Sequence, residues 1–108
     1  MIRKLNWELF SQQERTSAIE QLKRSINRCD GNIITCEMFS DISMNLILEI
    51  AEKHVSDLHT ELQKVVDISD LDKKLISDDT EKEWTILMNI NFAKRTAKLK
   101  PQRPMLDN

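Results

Sequence analysis

Glycine and proline are nearly missing: one glycine and two prolines stand among 108 residues. A β-sandwich reverses direction every few residues and draws on both for its turns, so that architecture is excluded. Cysteine is almost as scarce. Cys29 and Cys36 are the only two, with no Cys-x-x-Cys spacing and no histidine close by in sequence. Neither a zinc motif nor a redox pair results, and both thiols read as small buried hydrophobes of a reducing compartment. No unbroken apolar run exceeds three residues, as in Leu46–Ile47–Leu48, far short of a membrane span. The opening MIRKLNWELF lacks the apolar stretch of a secretory signal, so a cytoplasmic location is expected. Nor is there an excess of one charge. A formal net charge of -2 gives no general attraction to nucleic acid or acidic membranes.

What is present is ordinary for a globular domain, with 40% hydrophobic and 31% charged residues. Residues 1–93 read as one α+β domain. Residues 94–108 change character: Lys94, Arg95, Lys98, Lys100 and Arg103 are basic, and Pro101 and Pro104 forbid regular structure. They read as a mobile tail.

Periodicity assigns the elements. Leu5, Trp7 and Leu9 alternate with polar residues and suggest a first strand. Ser11-Gln12-Gln13-Glu14 has the form of a capping box, and Ala18, Ile19, Leu22 and Ile26 follow at helical spacing. A helix over about 12–29 results, with the single glycine, Gly31, placed to take a left-handed stop. Ile34, Cys36 and Met38, then Met44, Leu46, Leu48 and Ile50, alternate around a short polar stretch and predict a β-hairpin. From Glu52 onward Val55, Leu58, Leu62 and Val65 step by three and four, as in an amphipathic helix. The rival reading is all-α, with one long helix over 41–66. An Asp-rich connection over 67–83 follows, in which Leu71, Leu75 and Ile76 suit a short turn against the core.

The clearest signal is the last. Trp84, Ile86, Met88, Ile90 and Phe92 occupy alternate positions with Thr85, Leu87, Asn89 and Asn91 between them. That is a half-buried strand, although Thr80-Glu81-Lys82-Glu83 before it resembles a helix cap. The order strand, helix, strand, strand, helix, strand predicts a ferredoxin-like βαββαβ sandwich, an antiparallel sheet with two helices on one face. Such a fold hosts many functions and specifies none.

No catalytic, cofactor or metal constellation is legible. His54 and His59 stand five apart on a predicted helix, roughly 140° apart in direction, where ligands of one metal want spacings of three or four. Ser56 and Asp57 beside them lack a nucleophile elbow. The aspartates of 67–79 do not follow the calcium-loop pattern and have no glycine. Trp7, Trp84 and Phe92 fall on the helix-covered face, which disfavours base stacking on the sheet.

The open face carries Asn6, Glu8, Ile33, Thr35, Glu37, Phe39, Asn45, Ile47, Glu49, Leu87, Asn89 and Asn91 in this reading. Ile33, Phe39, Ile47 and Leu87 on it suggest a contact surface for a dimer or a protein partner. A non-catalytic association module is therefore the first expectation. The second is a small-molecule binder or enzyme with its site between subunits of a dimeric barrel, lined by Glu8, Glu37 and Glu49. The third is nucleic-acid binding through phosphate contacts from Lys94, Arg95, Lys98, Lys100 and Arg103.

Overall fold

The computed structural model describes residues 3–77 and 79–93. Its elements are β1 (Lys4–Ser11), α1 (Arg15–Arg28), β2 (Asn32–Ser40), β3 (Ser43–Ala51), α2 (Val55–Gln63), β4 (Asp67–Ile68) and β5 (Glu83–Phe92). Single 3₁₀ turns at Glu52–His54 and Lys73–Leu75 lead into α2 and interrupt the connection to β5. The fold is α+β, and residues 43–51 are a strand, which removes the all-α alternative.

The sheet runs β2-β3-β5-β1-β4. It is mixed and not antiparallel throughout: β5 pairs antiparallel to β3 but parallel to β1. A split strand–helix–strand unit leaves room for one strand between the two that its helix joins. Here β1-α1-β2 straddles both β5 and β3, and β3-α2-β4 straddles both β5 and β1. The final strand of the expected order thus lies at the centre, and the two-residue β4 takes the edge beside β1. The physical reason lies in β5 itself. Its inward side chains Trp84, Ile86, Met88, Ile90 and Phe92 are all buried, and Leu87 on the other face is half-buried. A strand this apolar loses more water-exposed surface between two neighbours than at an edge.

The register lines the inward side chains into rows, including Leu5–Ile86–Leu48–Ile33, Trp7–Met88–Leu46–Cys36 and Leu9–Ile90–Met44–Met38. Over them α1 buries Ala18, Leu22 and Ile26, and α2 buries Val55, Leu58 and Leu62. These residues form one core cluster. Two helices of about 10 Å diameter cover roughly four strands at about 4.8 Å spacing. The sheet has five, and β2 overhangs. Cys36 and Met38 share the inward face with buried partners yet remain exposed, and only Ile33 of β2 packs on the core. Cys29 is buried as expected; Cys36 is not.

Two local expectations change. Ser11 ends β1, its hydroxyl accepting the Gln13 amide at 3.1 Å, while Glu14 caps α1 by accepting the Ser17 amide at 3.1 Å. At the other end Asp30, and not Gly31, takes the left-handed backbone at φ 60. The Asp30 amide donates to Asn27 O at 3.1 Å and the Gly31 amide to Ile26 O at 2.9 Å, the paired bonds of a Schellman stop. Gly31 is needed for closeness instead: a Cβ there would stand 2.7 Å from Ile26 Cγ2.

In the long connection Leu71 and Ile76 pack on the core as expected, but Leu75 faces outward. His59 anchors this segment. Its buried ring meets the Trp7 indole edge-on at 5.1 Å, and its Nε2–H donates to the Ser69 carbonyl at 2.8 Å. Ser69 in turn donates its amide to Glu8 O at 2.9 Å and accepts the Glu8 amide on its hydroxyl at 3.0 Å. This hand-over extends the short pairing of β4 with β1.

Candidate functional site

Three surfaces carry chemistry, and the first is the open face of the sheet. Its rows are Thr35–Ile47–Leu87–Asn6 and Glu37–Asn45–Asn89–Glu8, flanked by Glu49–Thr85–Lys4 and Ser43–Asn91–Phe10. Asn89 Nδ2 donates to Asn45 Oδ1 at 3.0 Å, and Asn91 Nδ2 donates to Asn89 Oδ1 at 3.4 Å. Amides thus occupy the middle of the face, with Glu8 and Glu37 at opposite ends of one row and Glu49 in another. The three carboxylates do not converge within one chain.

Of the four apolar residues expected to form a contact patch, Ile47 and Leu87 are direct cross-strand neighbours. Ile33 is not with them. An irregularity between Ile33 and Thr35 sets Ile33 opposite the buried Leu48 and Thr35 opposite Ile47. One extra residue in a strand exchanges its faces, so Ile33 turns to the core. Phe39 falls in a second irregularity, between Met38 and Ser40, and is exposed beside the hairpin turn.

The second surface is the outer edge of β2. Five large hydrophobic residues are exposed among those described, and three of them lie on this strand: Ile34 at 49%, Met38 at 41% and Phe39 at 62%. Among the described residues β2 pairs with β3 on one side only and forms the long edge of the sheet. An edge strand offers unpaired backbone donors and acceptors to another strand. Its one charged residue is Glu37, and its midpoint is Cys36.

The third surface is a cleft of about 420 Å³ lined by Arg3, Lys4, Glu52, Leu75, Ser77, Thr80, Lys82 and Trp84. The sheet builds one wall, and Ser77, Thr80 and Lys82 the other. The Glu52 amide donates to Lys82 O at 2.7 Å and the Lys53 amide to Thr80 O at 3.0 Å, continuing the line of β3 into the loop. Glu52 itself is buried. Its carboxylate accepts the Thr80 hydroxyl and, at 3.1 Å, the Ser77 amide. These two bonds, the Thr80 hydroxyl first, hold its pKa below the ordinary carboxylate value, with smaller contributions from the Trp84 indole N–H and then Arg3. Trp84 Nε1 is buried nearby without a hydrogen bond of ordinary geometry. At the rim Lys53 donates to Glu81 at 2.7 Å, which lowers the Glu81 pKa. Sequence reasoning missed this cleft. Its only linear traces were an acid directly after an apolar strand and a Ser/Thr-bearing loop before the next.

A smaller groove of about 160 Å³ lies between the helices, among Gln21, Arg24, Ser25, Arg28, Glu61, Lys64 and Val65. Its one carboxylate is already engaged. Lys64 donates to Glu61 at 2.9 Å and Arg28 at 3.0 Å, and together they lower its pKa. His54 Nε2 stands 3.7 Å from Asp30 and well apart in role from His59. No three His, Cys, Asp or Glu residues are grouped to hold a metal ion among the described residues. Likewise no described helix is long and apolar enough to cross a membrane. The basic residues Lys94, Arg95, Lys98, Lys100 and Arg103 lie outside the described residues.

Comparison of the chain with models of known protein families, with curated proteins and with solved structures finds no match in any of the three.

Proposed function

We propose that this chain is a non-catalytic association module that pairs with a second copy of itself along the β2 edge. The observation carrying this reading is the concentration of exposed Ile34, Met38 and Phe39 on the one long unpaired strand edge. The frame we infer is ferredoxin-like, β1-α1-β2-β3-α2-β4, opened by β5 between β1 and β3. Both strand–helix–strand halves support it. In such a frame two helices leave the inner face of β2 bare, so its side chains are open to those of a neighbouring copy paired at the edge.

Symmetry narrows the register. In an antiparallel pair, hydrogen-bonded and non-bonded positions alternate, so a two-fold axis must pass through a residue facing its own copy. An axis at Glu37 sets carboxylate against carboxylate, which is destabilising. An axis at Cys36 is centred on Asn32–Ser40, sets Ile34 towards Met38 and places Glu37 opposite Thr35. The irregularities on either side confine regular symmetric pairing to Thr35, Cys36 and Glu37. So short a contact falls in the weak, transient class of interfaces, below about 1,200 Å².

Charge variants at Thr35 test this register by sedimentation velocity. Thr35→Glu sets a second carboxylate opposite Glu37 twice in the pair and should dissociate it; Thr35→Lys should tighten it. A bismaleimide of short span should join two copies through Cys36 in a Cys29→Ser background. Monomer at millimolar concentration, or equal responses to the two Thr35 variants, overturns the reading.

A further inference from the structure

The geometry points to a second site, independent of the β2 edge: the cleft between the start of β1 and the residues Ser77, Thr80 and Lys82 binds a small organic oxyanion, a phosphate monoester or a carboxylate.

Charge comes first. Arg3, Lys4 and Lys82 line the cleft, and none is in an ion pair or side-chain hydrogen bond among the described residues. Arg3 and Lys82 stand there with one lining anion, Glu52, whose oxygens accept from Thr80 and Ser77. Two nearby acids are engaged as well. Glu81 is held by Lys53, and Asp79 accepts the Ser77 hydroxyl. Neither Arg3 nor Lys82 is in an ion pair among the described residues, so both can meet an oxyanion through charge-assisted bonds.

The cleft is also preformed. Its loop wall is tied to the strand wall by the backbone bonds Glu52 to Lys82 and Lys53 to Thr80, and from the side by the Glu52 carboxylate. A ligand would not have to order the site, which lowers the cost of binding. Apolar surface completes it. Trp84 stands in the wall with its buried indole N–H beside the Glu52 carboxylate, and Leu75 is exposed at the mouth. A few fixed polar groups beside apolar walls suit an organic anion better than a bare ion. Glu52 has the part of a positioning residue: it fixes the loop that carries Thr80 and Lys82.

Titration of the full chain with phenyl phosphate, with benzoate and with sodium chloride at matched ionic strength tests this by heteronuclear NMR. Saturable shifts should concentrate on the amides of Arg3, Ser77, Thr80 and Lys82 and on the Trp84 indole N–H. Saturation by phenyl phosphate alone identifies a phosphate site, by benzoate alone a carboxylate site, and by both a site for the shared oxyanion chemistry. The Arg3→Gln/Lys82→Gln double variant should weaken binding at least about tenfold, while Lys64→Gln, in the inter-helix groove, should leave it unchanged. Shifts that do not saturate, that sodium chloride reproduces, or that persist undiminished in the double variant overturn the proposal.

Discussion

The Glu52 carboxylate accepts the backbone amide of Ser77 at 3.1 Å, joining the end of β3 to a loop 25 positions further along the chain. Its second oxygen accepts the Thr80 hydroxyl, and the pKa of the buried group is lowered from the model-compound value of 4.5 as a result. A carboxylate whose folded pKa lies below its unfolded pKa contributes stability that is complete above the unfolded value. That contribution is lost as pH falls through the folded value.

The expected outcome is a loss of stability on acidification that begins near pH 4.5 and deepens below it, with Glu61 and Glu81 acting in the same direction. Thermal unfolding followed by circular dichroism from pH 7 to pH 3 measures it. Glu52→Gln should lower the midpoint at pH 7 and flatten the acid limb. A variant as stable as the parent at neutral pH would show that the Glu52 bonds to the loop hold nothing in place.

At the end of α1 the left-handed position belongs to Asp30 and the crowded one to Gly31. Gly31→Ala should destabilise the fold by about 1–3 kcal/mol, because the new methyl meets the stiff, buried Ile26 side chain. Asp30→Gly should gain about 0.5 kcal/mol, since relief of the left-handed backbone is partly offset by entropy in the unfolded chain. Urea denaturation of the two variants checks both signs. If the signs exchange, the stop has been assigned to the wrong residue.

The two thiols should behave differently. Burial raises the pKa of Cys29, and the neighbouring carboxylates of Glu61 and Asp57 add to the effect, whereas Cys36 is exposed. A thiol-reactive chromophore should label one equivalent promptly at neutral pH and the second only on unfolding. Cys36→Ser should remove the prompt phase. Raising the protein concentration should slow it, because the proposed pairing brings Cys36 against its own copy.

Replacing His59 with Ala should cost about 2–4 kcal/mol. The change empties a buried ring volume beside Trp7 and leaves the Ser69 carbonyl without its donor. Hydrogen exchange should then show early opening of residues 67–70, with the centre of the sheet less affected. Uniform opening would mean that His59 does not act as the local anchor.

Much of the fold was legible because period-two alternation survives in the elements that are buried on one side. Trp84 to Phe92, Met44 to Ile50 and Leu5 to Leu9 all became strands with their alternate residues inward. Alternation says which residues share a face but nothing of which strand lies beside which, so the central place of β5 and its parallel pairing with β1 could not be read. Ile33 escaped for a related reason. A strand irregularity shifts faces without leaving a residue type that marks it, and Ile33-Ile34-Thr35 looks like unbroken strand. The cleft escaped because Arg3, Glu52, Thr80 and Lys82 converge only through the sheet; along the chain they are unrelated polar residues.

Because β5 lies between β1 and β3, neither of those strands has its inner neighbour until the last one arrives. On a ribosome the two helices and the β2–β3 hairpin can form as the chain emerges, but the sheet has a gap at its middle until β5 has been synthesised. Closing it requires β5 to pair on both edges with strands made much earlier, contacts of long sequence separation that form slowly. Until β5 is in place the facing edges of β1 and β3 are unpaired, and that is the state of this sheet most open to pairing with another chain.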